Sequence, residues 1–143
     1  MSEPVNFDEI VENFELFDDW EDRYRYVIDL GKDLPGVPED RRVDATKVEG
    51  CASQVWLVPD VQDGPDGARL VFEGDSDAMI VRGLIAILIA MISGRTLSDI
   101  RGLDIRGELE RLQLEQALSS QRSNGLKAMV TRIEDIAAAA QAA

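Results

Sequence analysis

The sequence predicts an α/β (α+β) fold: a small antiparallel sheet packed against several helices, within one domain over residues 1–143. Three observations predict it. Apolar residues recur at helical spacing in the first third, over 6–32. From about Val48 the pattern becomes β-branched and aromatic, which fits a strand hairpin over 48–75. The chain then returns to helix, with a central segment over 78–93 that is apolar nearly all round and further helices over 96–140.

The elements can be justified in order. Asn6 followed by Glu9 has the spacing of a capping pair, and Phe7, Ile10, Val11, Phe14 and Phe17 share a helical face. Asp18-Asp19 breaks that helix and can cap a second one, in which Tyr24, Val27 and Ile28 face one way. Gly31 and Leu34-Pro35-Gly36-Val37-Pro38 are read as its end and a rigid connector. Ser53–Pro59 and Leu70–Glu73 are the strand candidates, joined by a turn-rich segment, Asp60–Gly67. That segment lacks the ligand spacing and closing glutamate of a calcium loop, so it is read as a solvated hairpin. Gly94 stops the central helix. Thr96-Leu97-Ser98-Asp99 starts a short helix that Gly102 interrupts, and a further helix is expected over Gly107–Leu118 with Leu109 and Leu112 inward. Leu126, Met129, Val130, Ile133, Ile136, Ala137 and Ala140 make the stripe of a final helix. Its expected start, Gln121–Gly125, puts Arg122 beside the positive end of a helix dipole.

Composition narrows the function. The 28 acidic and 15 basic side chains give a formal charge of −13, the wrong sign for binding nucleic acid or an anionic membrane. The most hydrophobic stretch, Gly83–Ile92, is about half the length that crosses a bilayer. The start, Met1-Ser2-Glu3-Pro4, does not read as a signal peptide, so a cytoplasmic location is expected. There is no histidine, which removes the commonest general base and metal ligand, and a single cysteine, which removes internal disulfides and cysteine-held clusters. No cofactor or metal of its own is expected.

Cys51 therefore carries whatever covalent chemistry the chain performs. It lies in Gly50-Cys51-Ala52-Ser53-Gln54-Val55-Trp56, a glycine-led turn that runs into an apolar strand. A lone cysteine is by default a small packing residue. Here the flexible Gly50 and the small Ala52 and Ser53 favour approach by a partner.

Val48–Leu57 resembles the sulfur-acceptor motif of SufE, the cysteine desulfuration protein of iron–sulfur cluster assembly. Three further stretches agree with that family in order: Asp22-Arg23-Tyr24 through Leu30-Gly31-Lys32, Gly74–Ala78 leading into Gly83-Leu84, and Arg122–Met129. The resemblance implies a SufE- or scaffold-protein-like fold. It also implies a carrier that is not itself an enzyme. Such a protein binds a PLP-dependent cysteine desulfurase (SufS-like), stimulates it, takes its persulfide sulfur on Cys51 and passes that sulfur to an iron–sulfur scaffold. By the same resemblance Gly50 shapes the acceptor turn, Ser53 supports it and Arg122 is the second site residue. Asp75 and Asp77 match an acidic pair ahead of the central helix, in a capping or a functional role.

Sulfur transfer of this kind follows thiol–disulfide exchange and needs an accessible thiolate with no second thiol to resolve the persulfide. The acidic surroundings work against a thiolate, so Arg122 is expected to approach Cys51. Leu57, Val58 or residues of the central helix would shelter the sulfur. The alternative is a thiol-based redox sensor or peroxidase using Cys51, and an inert adaptor is a third reading.

Overall fold

The computed structural model describes residues 6–49, 53–114 and 118–142, with side chains as far as 140. Helix α1 (Phe7–Leu16) starts as its capping pair requires: the Glu9 N–H donates to the Asn6 side chain at 2.9 Å. Phe7, Ile10, Val11 and Phe14 turn inward, while Phe17 lies just past the helix and packs its ring on Tyr26, with centroids 5.6 Å apart. Asp19 caps α2 (Trp20–Lys32) by accepting from the Asp22 N–H at 2.9 Å.

Gly31 does not end α2. It sits in the last turn, where a Cβ would lie 2.6 Å from the Gly83 nitrogen of α3 (Met79–Ile92). Gly83 meets the Val27 carbonyl of α2 just as closely, so the two glycines let two helix backbones come into direct contact. That contact fixes α2 over α3. Helix α3 itself is the centre of the core, with Ile85, Ile87, Leu88 and Ile92 wholly buried. Each such side chain contributes about 2 kcal/mol of apolar burial.

Strands β1 (Val55–Gln62) and β2 (Arg69–Ser76) form the expected antiparallel hairpin, with Val55 opposite Ser76 and Gln62 opposite Arg69. β1 starts two residues later than the sequence suggested and runs three further toward the tip, while β2 starts one residue earlier and runs three further at the opposite end, where Gly74–Ser76 pair with Val55–Leu57. A two-residue strand, β3 (Arg95–Thr96), adds to β2 and completes a sheet of order β1-β2-β3 among the described residues. Thr96 ends that strand and also caps α4 (Leu97–Gly102), accepting from the Asp99 N–H at 3.1 Å.

The helix expected over 107–118 is shorter and starts earlier. Asp104 caps α5 (Ile105–Glu110), and the chain then turns, with Gln113 at a φ of 53°. Leu109 and Leu112 do face inward. At the end of α5 the Arg111 guanidinium donates to Glu108 at 2.8 Å, and this bond holds its pKa above the ordinary value. Arg111 also lies over the Phe7 ring at 5.8 Å, tying α5 to α1. The last helix, α6 (Ser120–Ala142), begins ahead of the Gln121–Gly125 stretch read as its cap. Ser119 does the capping instead, accepting from the Arg122 N–H at 3.3 Å. Its inward stripe includes Leu126, Met129, Val130, Ile133 and Ala137, all buried.

Candidate functional site

Ahead of β1 the chain doubles back on itself. The Val48 N–H donates to the Val55 carbonyl at 2.8 Å, the Leu57 N–H donates to the Thr46 carbonyl at 2.8 Å, and Lys47 bridges to Trp56. Residues 46–48 and 55–57 thus form a short antiparallel ribbon, and the segment between them joins its two arms. Gly50 and Cys51 belong to that segment and lie outside the described residues. Its trailing end, Ser53 and Gln54, is described.

Two anchors hold that end. The Gln54 N–H donates to the Asp77 carboxylate at 3.0 Å, and the Asp77 N–H returns a bond to the Gln54 carbonyl at 3.3 Å. Asp77 therefore clips the ribbon to the start of α3. Neither acid caps that helix as the capping expectation had it: its N-cap is Ala78, which has no capping side chain, and the Ala78 N–H donates to the Ser76 hydroxyl at 3.2 Å. The reason is that both carboxylates are already committed elsewhere.

Asp75 is the more deeply committed of the two, at 2% exposure. Its Oδ2 accepts from Arg42 at 2.6 Å and from the Val37 N–H at 3.2 Å, and its Oδ1 pairs with Arg82 at 3.2 Å and accepts from the Ser76 N–H at 2.8 Å. A buried carboxylate persists only when it is paired and hydrogen-bonded in this way. Arg42 in turn lies over the Trp56 ring at 5.2 Å and donates to the Val37 carbonyl at 2.8 Å. Arg82 donates to the carbonyls of Gly31 and Leu34. The Asp75 cluster thereby joins α2, the 33–42 connector, β2 and α3, and its reach to the ribbon is the Arg42–Trp56 contact.

Arg122 lies in the first turn of α6 and donates to the Tyr24 hydroxyl at 3.4 Å. It shares with Ser53 a small pocket of about 20 Å³ whose apolar walls are Val81 and Leu84 of α3 and Leu126 and Met129 of α6. Ser53 and Arg122, which stand 69 positions apart in sequence, are thus brought together. The apolar walls come from the central helix and from α6. Leu57 and Val58 are buried in β1 and are not among the described lining residues, and the shelter expected for Cys51 lies outside the described residues.

The sequence alone does not mark Tyr24, Arg42, Arg82 or Trp56 as site residues. Tyr24 and Trp56 stand inside the family motifs, but read there as members of a helix face and a strand. Nothing local to Arg42 or Arg82 marks either as the partner of an acid distant in sequence.

A larger cleft of about 400 Å³ lies between α5 and α6, lined by Leu109, Leu114 and Val130 with Arg106, Glu110 and Lys127 among its polar residues. It meets the Ser53 pocket at Leu126. Among the described residues no group of three or more acidic side chains is placed to hold a metal ion, and no helix is long and apolar enough to cross a membrane.

The family described as "SufE: Fe-S metabolism associated domain" matches residues 8–137. The chain belongs to the SufE family. Two relatives share about half of its residues. An uncharacterized SufE-like protein of Rhizobium etli is 52% identical over 131 residues, covering 92% of this chain and 88% of that protein. A second, from Rhizobium meliloti, is 49% identical over 130 residues, covering 91% and 93%. The fold has a solved counterpart in a hypothetical protein from Thermus thermophilus, with a TM-score of 0.75 at 18% identity over 99% of this chain and 100% of that one. Membership of SufE associates the chain with iron–sulfur metabolism, and the sheet-and-helix architecture agrees with the sequence reading.

Proposed function

We propose that this protein is a sulfur carrier: Cys51 accepts the persulfide sulfur of a PLP-dependent cysteine desulfurase, stimulates that enzyme by removing its product, and delivers the sulfur to an iron–sulfur scaffold. The observation that supports this most is the pocket shared by Ser53 and Arg122 in a chain of the SufE family. Cys51 precedes Ser53 by two residues, and two residues of chain span at most about 7 Å. On this reading the acceptor works beside the pocket that Ser53 shares with Arg122 at the N-terminal end of α6.

That setting suits the step. The Cys51 thiolate attacks the outer sulfur of the enzyme's persulfide; the new S–S bond forms as the old one breaks, and the enzyme's cysteine leaves as a thiolate. The product on Cys51 is a persulfide anion, so a negative charge is present before and after transfer and no external oxidant or reductant enters. Arg122 and the positive end of the α6 dipole favour both anions. The chain supplies no cofactor in this scheme, since PLP stays with the desulfurase. The reaction fits the reducing cytoplasm, where a lone thiol stays free.

Mass spectrometry of the protein after incubation with a cysteine desulfurase and free cysteine tests the acceptor role. Cys51→Ser should gain no sulfur. Arg122→Ala should still gain it, but at a rate about tenfold lower, as expected for losing one charged group that favours the thiolate by about 1.4 kcal/mol. An unchanged rate in Arg122→Ala would remove Arg122 from the scheme while leaving Cys51 in it.

A further inference from the structure

We propose that Arg132 is a positioning residue for the pocket shared by Ser53 and Arg122, acting through the Ala45 carbonyl that it holds. Arg132 Nη2 donates to that carbonyl at 2.5 Å. Ala45 lies in the turn that leads into the outer arm of the ribbon, one residue before Thr46, whose carbonyl accepts from the Leu57 N–H. One side chain of α6 thus grips the turn ahead of the outer arm, while Arg122 of the same helix lines the pocket that Ser53 shares ahead of the inner arm.

Ten helical residues separate Arg122 from Arg132, a rise of about 15 Å. Helix α6 therefore carries one arginine at the pocket and, further along, a second at the Ala45 carbonyl. The grip at Ala45 is passed on because the turn is stiff. The Thr46 hydroxyl donates to the Arg41 carbonyl at 2.6 Å and accepts from the Val43 N–H at 3.2 Å, and the Lys47 N–H donates to the Val43 carbonyl at 3.0 Å. Fixing Ala45 fixes Thr46, and through it the Leu57 end of β1.

Only the consequence for Cys51 rests on the sulfur-carrier reading; the positioning itself does not. The test uses the full-length protein with Arg132→Met, which keeps much of the side chain's length and loses its donors, and Arg132→Ala as a second variant. Lys127→Gln removes one charge from the same helix without touching the ribbon. Two quantities are read: hydrogen exchange at the Leu57 amide, and the pH dependence of Cys51 alkylation by iodoacetamide. Both Arg132 variants should lower protection of Leu57 by about tenfold. They should also raise the alkylation midpoint by about half a pH unit, toward that of Arg122→Ala. Combining Arg122→Ala with Arg132→Met should raise it no further than Arg122→Ala alone, because both act through one pocket. Lys127→Gln should leave both quantities at the wild-type values. Wild-type protection and midpoint in both Arg132 variants, or an equal shift in Lys127→Gln, would overturn the assignment. These readouts need no desulfurase, so a wild type that fails to gain sulfur would sink the carrier reading and leave this one standing.

Discussion

Asp75→Asn would leave two guanidinium groups, those of Arg42 and Arg82, facing a neutral amide in a site where the carboxylate's residue is only 2% exposed. Both arginines keep carbonyl acceptors and partial access to water, which softens the loss. We expect a destabilisation of about 2–3 kcal/mol, seen as a lower urea midpoint at unchanged slope. A midpoint within error of the wild type would mean that the cluster is a bystander. Residue-scale features of this kind are what the sequence hid. Asp75 was visible as a candidate because it stands in a family motif, but its partners are 38, 33 and 7 positions away and no pattern links them. Ser53 and Arg122 were both legible as candidates; the pocket that joins them depends on how α3 and α6 cross, which local spacing does not encode.

At the scale of elements, the α2–α3 contact makes the sharpest prediction. Gly83→Ala would drive a methyl group into the Val27 carbonyl, backbone against backbone, where no rotamer change gives relief. We expect a loss of about 3 kcal/mol in a thermal melt, with Gly31→Ala close behind. A melt unchanged by either substitution would refute the direct backbone contact. Here sequence reasoning erred in an instructive way. A glycine near a helix end followed by Leu-Pro-Gly reads as a stop, yet Gly31 is the second half of a contact whose first half is Gly83. Helices with strong periodicity and a capping acid or amide, α1 and α2, were legible almost to the residue. The boundaries that moved, at α5 and at the start of α6, lie where Asp104 and Ser119 cap from positions that stand outside the apolar pattern.

The whole molecule carries its charge unevenly. Asp8, Glu9, Glu12, Glu15, Asp18, Asp19, Glu21 and Asp22 cluster on α1, the link after it and the start of α2, and all eight are exposed. Self-repulsion on this face, within a net charge of −13, opposes the compact state. Raising ionic strength from about 0.01 M to about 0.15 M shortens the screening length from about 30 Å to about 8 Å. The melting temperature should rise by about 3 °C as a result. A fall would mean that surface ion pairs outweigh the repulsion.

The measurement that tests the central claim most directly is the intact mass of the wild type and of Cys51→Ser after incubation with an active cysteine desulfurase and free cysteine. The account predicts one added sulfur on the wild type alone, released by a thiol reductant. No added sulfur on the wild type, or the same addition on Cys51→Ser, would contradict it.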